Sequence, residues 1–243
     1  MIETRTGAFN DLVTQPETHV ALDLSGNARS LLVLFGGIAG GVSMPVFEFF
    51  RLTAGMPGKK AFLRDPRRGW YQLGLPGVGP TAQDVRRYLD QVIAEADVDR
   101  VVMAGASAGG YAAMLFGAWC GADYVLAFSP QTFIDAANRA SAGDSRWAPQ
   151  IDHLHAVNPS GAVYDLHNVL AASAGPRTAL HVSNDDPLDL IHARRVADLP
   201  NVAITEHDQG GHRLVKTLRD RGILGPVLQD ALRLPDSPTD LGE

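Results

Sequence analysis

Gly105-Ala106-Ser107-Ala108-Gly109 follows the uncharged run 101–104. Read as strand, sharp turn and helix, this G-x-S-x-G pattern lifts one serine out of the top of a parallel sheet. A serine hydroxyl attacks a carbonyl only when a base removes its proton and N–H donors stabilise the oxyanion that forms. The pattern therefore demands a carboxylate and a histidine later in the chain and a glycine turn earlier. The chain offers all three in that order. The chemistry they would support is acyl transfer through Ser107, which needs neither a metal nor an organic cofactor.

The base is expected on the loop after the last strand. There His207-Asp208-Gln209-Gly210-Gly211-His212 brings His212 behind two glycines and directly before a helix. His207, nearer the strand end, is the weaker alternative. The acid is expected at the carboxyl end of the strand before it, where Ser183-Asn184-Asp185-Asp186-Pro187-Leu188-Asp189 holds three aspartates. Asp186, at the turn into a helix, is the first choice and Asp185 the second. Asp189 reads as a helix N-terminal carboxylate, favoured there by the dipole. Each of the three could instead cap the helix or form the turn.

The oxyanion donors are expected to be the backbone N–H of Ala108, at the start of the helix after the serine, and that of Gly37. The latter lies where the apolar strand 31–35 runs into Gly36-Gly37-Ile38-Ala39-Gly40-Gly41. Ile38 stands beside that donor and is a candidate substrate contact. Its glycines do not make G-x-G-x-x-G, which counts against a dinucleotide site. The segment 64–76 follows a short strand and so falls on the same rim. Its arginines could meet an anionic or sugar-linked substrate, and Trp70 or Tyr71 could stack on a ring. The alternative is a solvated basic loop anchored by its aromatics.

These residues need a frame, and the rest of the chain alternates strand with helix. Segments 18–24 and 30–35 read as strands joined by the turn Ser25-Gly26-Asn27-Ala28, a hairpin that makes the first sheet edge antiparallel. A short helix is expected over 45–52 and a strand over 60–63. Segment 81–96 is the clearest amphipathic helix, with Val85, Tyr88, Leu89, Val92 and Ile93 on one face. Strands follow at 101–104, 124–128, 178–182 and 202–206, with helices at 108–119, 188–198, 214–219 and 227–232. The expectation is an α/β fold, a mostly parallel sheet with helices on both faces. One domain over residues 1–234 is expected, with a short lid-like insertion at about 131–170 and a flexible tail over 235–243.

The 243 residues are enough to bury a substantial core, and their net charge of −6 counts against a nucleic-acid partner. The single cysteine, Cys120, sits in an apolar stretch and reads as a small buried hydrophobe. The first residues contain no apolar h-region, so a cytoplasmic location is expected. The uncharged run 101–122 has the length of a membrane span. Five glycines and the serine turn break it, and it reads instead as buried strand and helix. No H-E-x-x-H, C-x-x-C or P-loop is present.

From residue 18 to about 233 the chain resembles the α/β-hydrolase superfamily. The resemblance rests on Phe35-Gly36-Gly37, Gly105-Ala106-Ser107-Ala108-Gly109-Gly110, Ser183-Asn184-Asp185-Asp186 and Gly210-Gly211-His212. It implies Ser107 as nucleophile, His212 as general base and then acid, Asp186 as orienter of the imidazole, and Gly37 and Ala108 as oxyanion donors. Phe35 stands where many relatives have histidine. The resemblance also implies a small or absent cap and a hydrolase cleaving a carboxylic ester or thioester of a small or carrier-attached acyl substrate. A second reading is an acyltransferase or cyclase using the same triad, and a third is a binding member that has lost the chemistry. A homo-oligomer is compatible with all three.

Overall fold

The computed structural model describes residue 15 and residues 17–38, 49–172 and 175–233. Its strands are β1 (Val20–Asp23), β2 (Ser30–Phe35), β3 (Lys59–Leu63), β4 (Arg100–Ala106), β5 (Tyr124–Phe128), β6 (Arg177–Ser183) and β7 (Val202–His207). They form one seven-stranded sheet in the order β1-β3-β2-β4-β5-β6-β7. β1 runs antiparallel to β3, and every other neighbouring pair is parallel.

The antiparallel edge is where the sequence leads one to expect it, but the hairpin is not. β1 pairs with β3 because both edges of β2 are already taken by the parallel strands β3 and β4. The turn at 25–28 therefore carries the chain past β3 rather than back along β1.

Alternation along the strands sorts side chains into two apolar layers. Leu31, Val33, Phe35, Met103, Val125 and Leu180 face one layer, with helices α2 (Ala82–Ala96) and α3 (Ala108–Cys120). Leu32, Leu34, Val102, Ala104, Leu126 and Phe128 face the other, with α8 (Leu214–Asp220) and α9 (Leu224–Arg233). Helix α2 starts on a capping box, in which the Thr81 hydroxyl accepts from the Asp84 N–H at 3.3 Å and the Thr81 N–H donates to the Asp84 carboxylate at 2.9 Å. Its buried stripe is Val85, Leu89, Val92 and Ala96. Helix α3 is apolar all round because ten of its residues, Ala108 through Gly117, are buried. That accounts for the membrane-length uncharged run, and no helix among the described residues is long and apolar enough to cross a bilayer.

The segment between β5 and β6 holds, among the described residues, three short helices, α4 (Ala136–Ala142), α5 (Ala148–Val157) and α6 (His167–Ala171). Helix α7 (Pro187–Arg194) then links β6 to β7. The expected helix over 45–52 falls partly outside the described residues; what is described is α1 (Phe50–Thr53). Gly40, Gly41 and the tail expected over 235–243 also lie outside them.

Candidate active site

Ser107 sits between β4 and α3 with φ 53° and ψ −120°, a backbone conformation that L-residues rarely adopt. The turn is held on both sides. The Ser107 N–H donates to the Phe128 carbonyl at 2.9 Å, and the Tyr111 N–H donates to the Ser107 carbonyl at 3.0 Å. The two motif glycines make the turn fit. A Cβ on Gly105 would lie 2.2 Å from the Gly109 carbonyl oxygen, and one on Gly109 would lie 2.2 Å from that of Phe35. Either side chain would push helix and strands apart.

His212 lies in a single 3₁₀ turn (Gly211–Arg213) after β7. Its Nε2 is 2.9 Å from the Ser107 Oγ. Its Nδ1 is 2.9 and 3.0 Å from the two carboxylate oxygens of Asp189. With the proton on Nδ1, the ring donates to Asp189 and leaves Nε2 to accept from the serine hydroxyl.

The sequence expectation of Asp186 as orienting acid is corrected by this geometry. Asp186 is the N-cap of α7, and its Oδ1 accepts from the N–H groups of Leu188 and Asp189, each at 3.1 Å. Pro187 at the first helical position fixes the start of the helix. Asp189 is then one turn further on, fully buried, facing His212. Asp185 has a third task. Its carboxylate accepts from the Ser183 hydroxyl at 2.5 Å and from the N–H groups of Gly210 and Gly211 at 3.3 and 2.8 Å. It thus pins the glycine loop that carries His212. The Ser183 hydroxyl and those amides hold its carboxyl below the ordinary range. The signal was present in Asp186-Pro187-Leu188-Asp189: an aspartate directly before an N1 proline caps, so its side chain is occupied.

The rim on the other side of Ser107 is set by backbone. Phe35 pairs with Gly105 across β2 and β4, so Gly37 stands two residues beyond the end of β2, as Ser107 stands two beyond Gly105. The Gly36 N–H donates to the Leu63 carbonyl at 2.9 Å. The Tyr71 hydroxyl lies 2.9 Å from the Gly36 carbonyl and 3.1 Å from that of Leu63, its proton shared between them. In a planar trans peptide the C=O and the following N–H point opposite ways. Fixing the Gly36 carbonyl on Tyr71 therefore turns the Gly37 N–H away from Tyr71. The Ala108 N–H opens α3, where the helix dipole favours negative charge.

Trp70 and Tyr71 do not stand open to a substrate as the sequence suggested. Both are fully buried, and the Trp70 indole N–H donates to the Gln131 side-chain oxygen at 2.9 Å. Both have positive φ, 52° and 60°, which folds the loop back on itself. Asp65 anchors that fold, accepting from the N–H groups of Arg67, Gly69 and Tyr71 at 2.9, 2.7 and 2.9 Å. Of the loop arginines, Arg64 donates to the Thr18 carbonyl and Arg67 to that of Leu73. The Ile38 side chain is buried in the layer with α2 and α3 rather than open to a cleft.

The insertion contributes a group that sequence reasoning missed. Arg146, between α4 and α5, donates to Asp189 Oδ1 at 2.7 Å and to Asp144 through Nε and Nη2, the latter at 2.9 Å. Asp144 also accepts from His192 Nε2 at 3.0 Å. The His192 Nδ1 accepts the Thr132 N–H at 3.1 Å, which places the ring proton on Nε2. Burial holds His192 below its ordinary range despite Asp144, so it is neutral near pH 7. Burial alone would raise the Asp189 carboxyl; the hydrogen bonds and charges of His212 and Arg146 outweigh it and hold Asp189 ionised. No periodicity marks Asp144 or Arg146 in the sequence.

Asp186, Asp189 and His212 each bring one ligand atom within 4.8 Å of the others. As a metal site the set is poor. Asp189 already serves His212 and Arg146, Asp186 serves the helix amides, and the Arg146 cation opposes a second one.

No family sequence model matches the chain, and no curated protein matches it by sequence. Solved structures do match by shape. A glycosylation-associated protein complex from Streptococcus agalactiae aligns with TM-score 0.63 and 17% identity, covering 93% of this chain and 46% of that one. The capsule O-acetyltransferase of Neisseria meningitidis serogroup A aligns at 0.61 and 11%, covering 87% and 90%. A monoacylglycerol lipase of Paleococcus ferrophilus aligns at 0.56 and 14%, covering 88% and 97%.

Proposed function

We propose that this chain, which has the α/β-hydrolase fold, is a serine-dependent enzyme that cleaves a carboxylic ester or thioester through an acyl group on Ser107. The observation that carries this reading is the unbroken line from the Ser107 Oγ to His212 Nε2 at 2.9 Å and from His212 Nδ1 to Asp189 at 2.9 Å. His212 takes the hydroxyl proton as Ser107 attacks the carbonyl. The N–H groups of Ala108 and Gly37 receive the oxyanion. The imidazolium then gives its proton to the leaving group, and water activated by His212 releases the acid. Their geometry, and a fold shared with a monoacylglycerol lipase, support these roles.

A second reading replaces water with a bound alcohol or amine. The capsule O-acetyltransferase, whose fold covers 87% of this chain, supports it. A catalytically silent binding member is disfavoured by a triad at hydrogen-bonding distance throughout.

The test is labelling with a fluorophosphonate probe, comparing wild type with Ser107→Ala and His212→Ala. Labelling is expected in the wild type and should drop by at least about a thousandfold in both variants. Equal labelling of wild type and Ser107→Ala would end the serine mechanism. Product formation that requires an added alcohol or amine would select the transfer reading.

A further inference from the structure

We propose that Arg146 is a positioning residue through which the insertion sets the working charge of the triad; this rests on the triad reading above. Asp189 has no exposed surface, and a lone buried carboxylate is costly unless donors surround it. Its Oδ1 accepts from both Arg146 and His212, at 2.7 and 2.9 Å. Arg146 Nη1 and His212 Nδ1 lie only 3.5 Å apart. Both are donors, so no hydrogen bond joins them; what remains between them is charge.

That charge matters at one moment of the reaction. When His212 takes the proton of Ser107 it becomes a cation beside another cation. Arg146 thus makes the imidazolium less comfortable and hastens return of the proton to the leaving group. Asp144 limits the effect. It holds the other side of the guanidinium, and neutral His192 holds Asp144 in turn. Among the described residues, the charged groups facing His212 are Asp189, Arg146 and, within 4.8 Å, Asp186. Asp185 lies on the amides of Gly210 and Gly211. Asp144, Arg146 and Asp189 sum to one negative charge, as a lone aspartate would. Either Asp144 or Arg146 can therefore be removed to shift that sum in opposite directions.

This gives a signed test. The titration of the His212 ring is followed by NMR in Arg146→Met, Arg146→Lys and Asp144→Asn, alongside the pH dependence of p-nitrophenyl acetate hydrolysis. Arg146→Met, which removes a cation 3.5 Å from Nδ1, should move the ring response, and the acid limb of kcat/KM with it, to higher pH. Asp144→Asn should move both to lower pH. Arg146→Lys should restore the wild-type position while keeping part of the loss in kcat, since the ammonium lacks the planar fork. Near-UV circular dichroism identifies any variant that fails to fold; if Arg146→Met is one, the shift to lower pH in Asp144→Asn carries the signed comparison with wild type. A purely structural Arg146 would lower activity in all variants with no signed shift, and that result would overturn the proposal. Failure of the triad reading looks different: hydrolysis would survive Ser107→Ala, whatever the ring titration does.

Discussion

The two flanks of Ser107 are built on different principles. On the β2–β3 side, among the described residues, the polar side chains mainly hold backbone, the Trp70–Gln131 pair aside. Asp65 collects three loop amides, and Tyr71 fixes the Gly36 carbonyl. On the β6–β7 side, side chains hold side chains, in the series His192, Asp144, Arg146, Asp189, His212. In the proposed mechanism the first flank presents uncharged N–H dipoles in fixed directions, and the second receives and returns a proton through ionisable groups. Damage to the first should cost rate without moving the pH profile, whereas damage to the second should move it.

The largest expected effect is on the ionisable flank. Asp189→Asn should lower kcat for an ester by about 10⁴, because the amide can no longer hold the Nδ1–H tautomer. Asp186→Asn, three residues away, should leave kcat within a few fold. Steady-state kinetics on both variants decide the matter, and the reverse ranking would restore Asp186 as the acid. Next is the backbone flank. Tyr71→Phe should lower kcat by about tenfold, a fraction of what losing an oxyanion donor costs, with KM and the pH limb unchanged. A shifted limb in Tyr71→Phe would erase the distinction between the flanks. The smallest effect is on stability: Asp186→Ala should cost about 1 kcal/mol in denaturant unfolding through the lost helix cap. No loss at all would mean that Pro187 alone starts α7.

What could be read from the sequence follows the same division. The parallel strands were legible because buried strands are continuous apolar runs, and the serine turn because only glycine fits where Gly105 meets Gly109. That His212 would stand beside Ser107 was legible from its two glycines. For Trp70 and Tyr71 two readings stood open, because aromatic residues in an arginine-rich loop can stack on a substrate or anchor the loop; burial shows the anchors. Nothing local reveals that both have positive φ and are buried, with the Tyr71 hydroxyl on the Gly36 carbonyl. The hairpin expected between β1 and β2 failed because strand order is decided by competition for the edges of β2, which a turn signal does not report. Arg146 and Asp144 lay in a stretch without periodicity, and their partners are 43 and 48 residues distant. Contacts of that range are set by the fold, not by spacing.

The position of Arg146 has a consequence for anyone who would re-engineer the chain. Segments between β5 and β6 invite exchange, since an insertion of short helices resembles a detachable module. Here the module carries one terminal of the electrostatic circuit, and the body carries the other, Asp189 on α7. A graft that brings new helices without a guanidinium at that spot would leave a sealed-in carboxylate with a single donor. Modularity in this molecule therefore stops at these contacts: Asp144-Ser145-Arg146 travels with Asp189 and His212 or not at all, as Gln131 and Thr132 travel with Trp70 and His192.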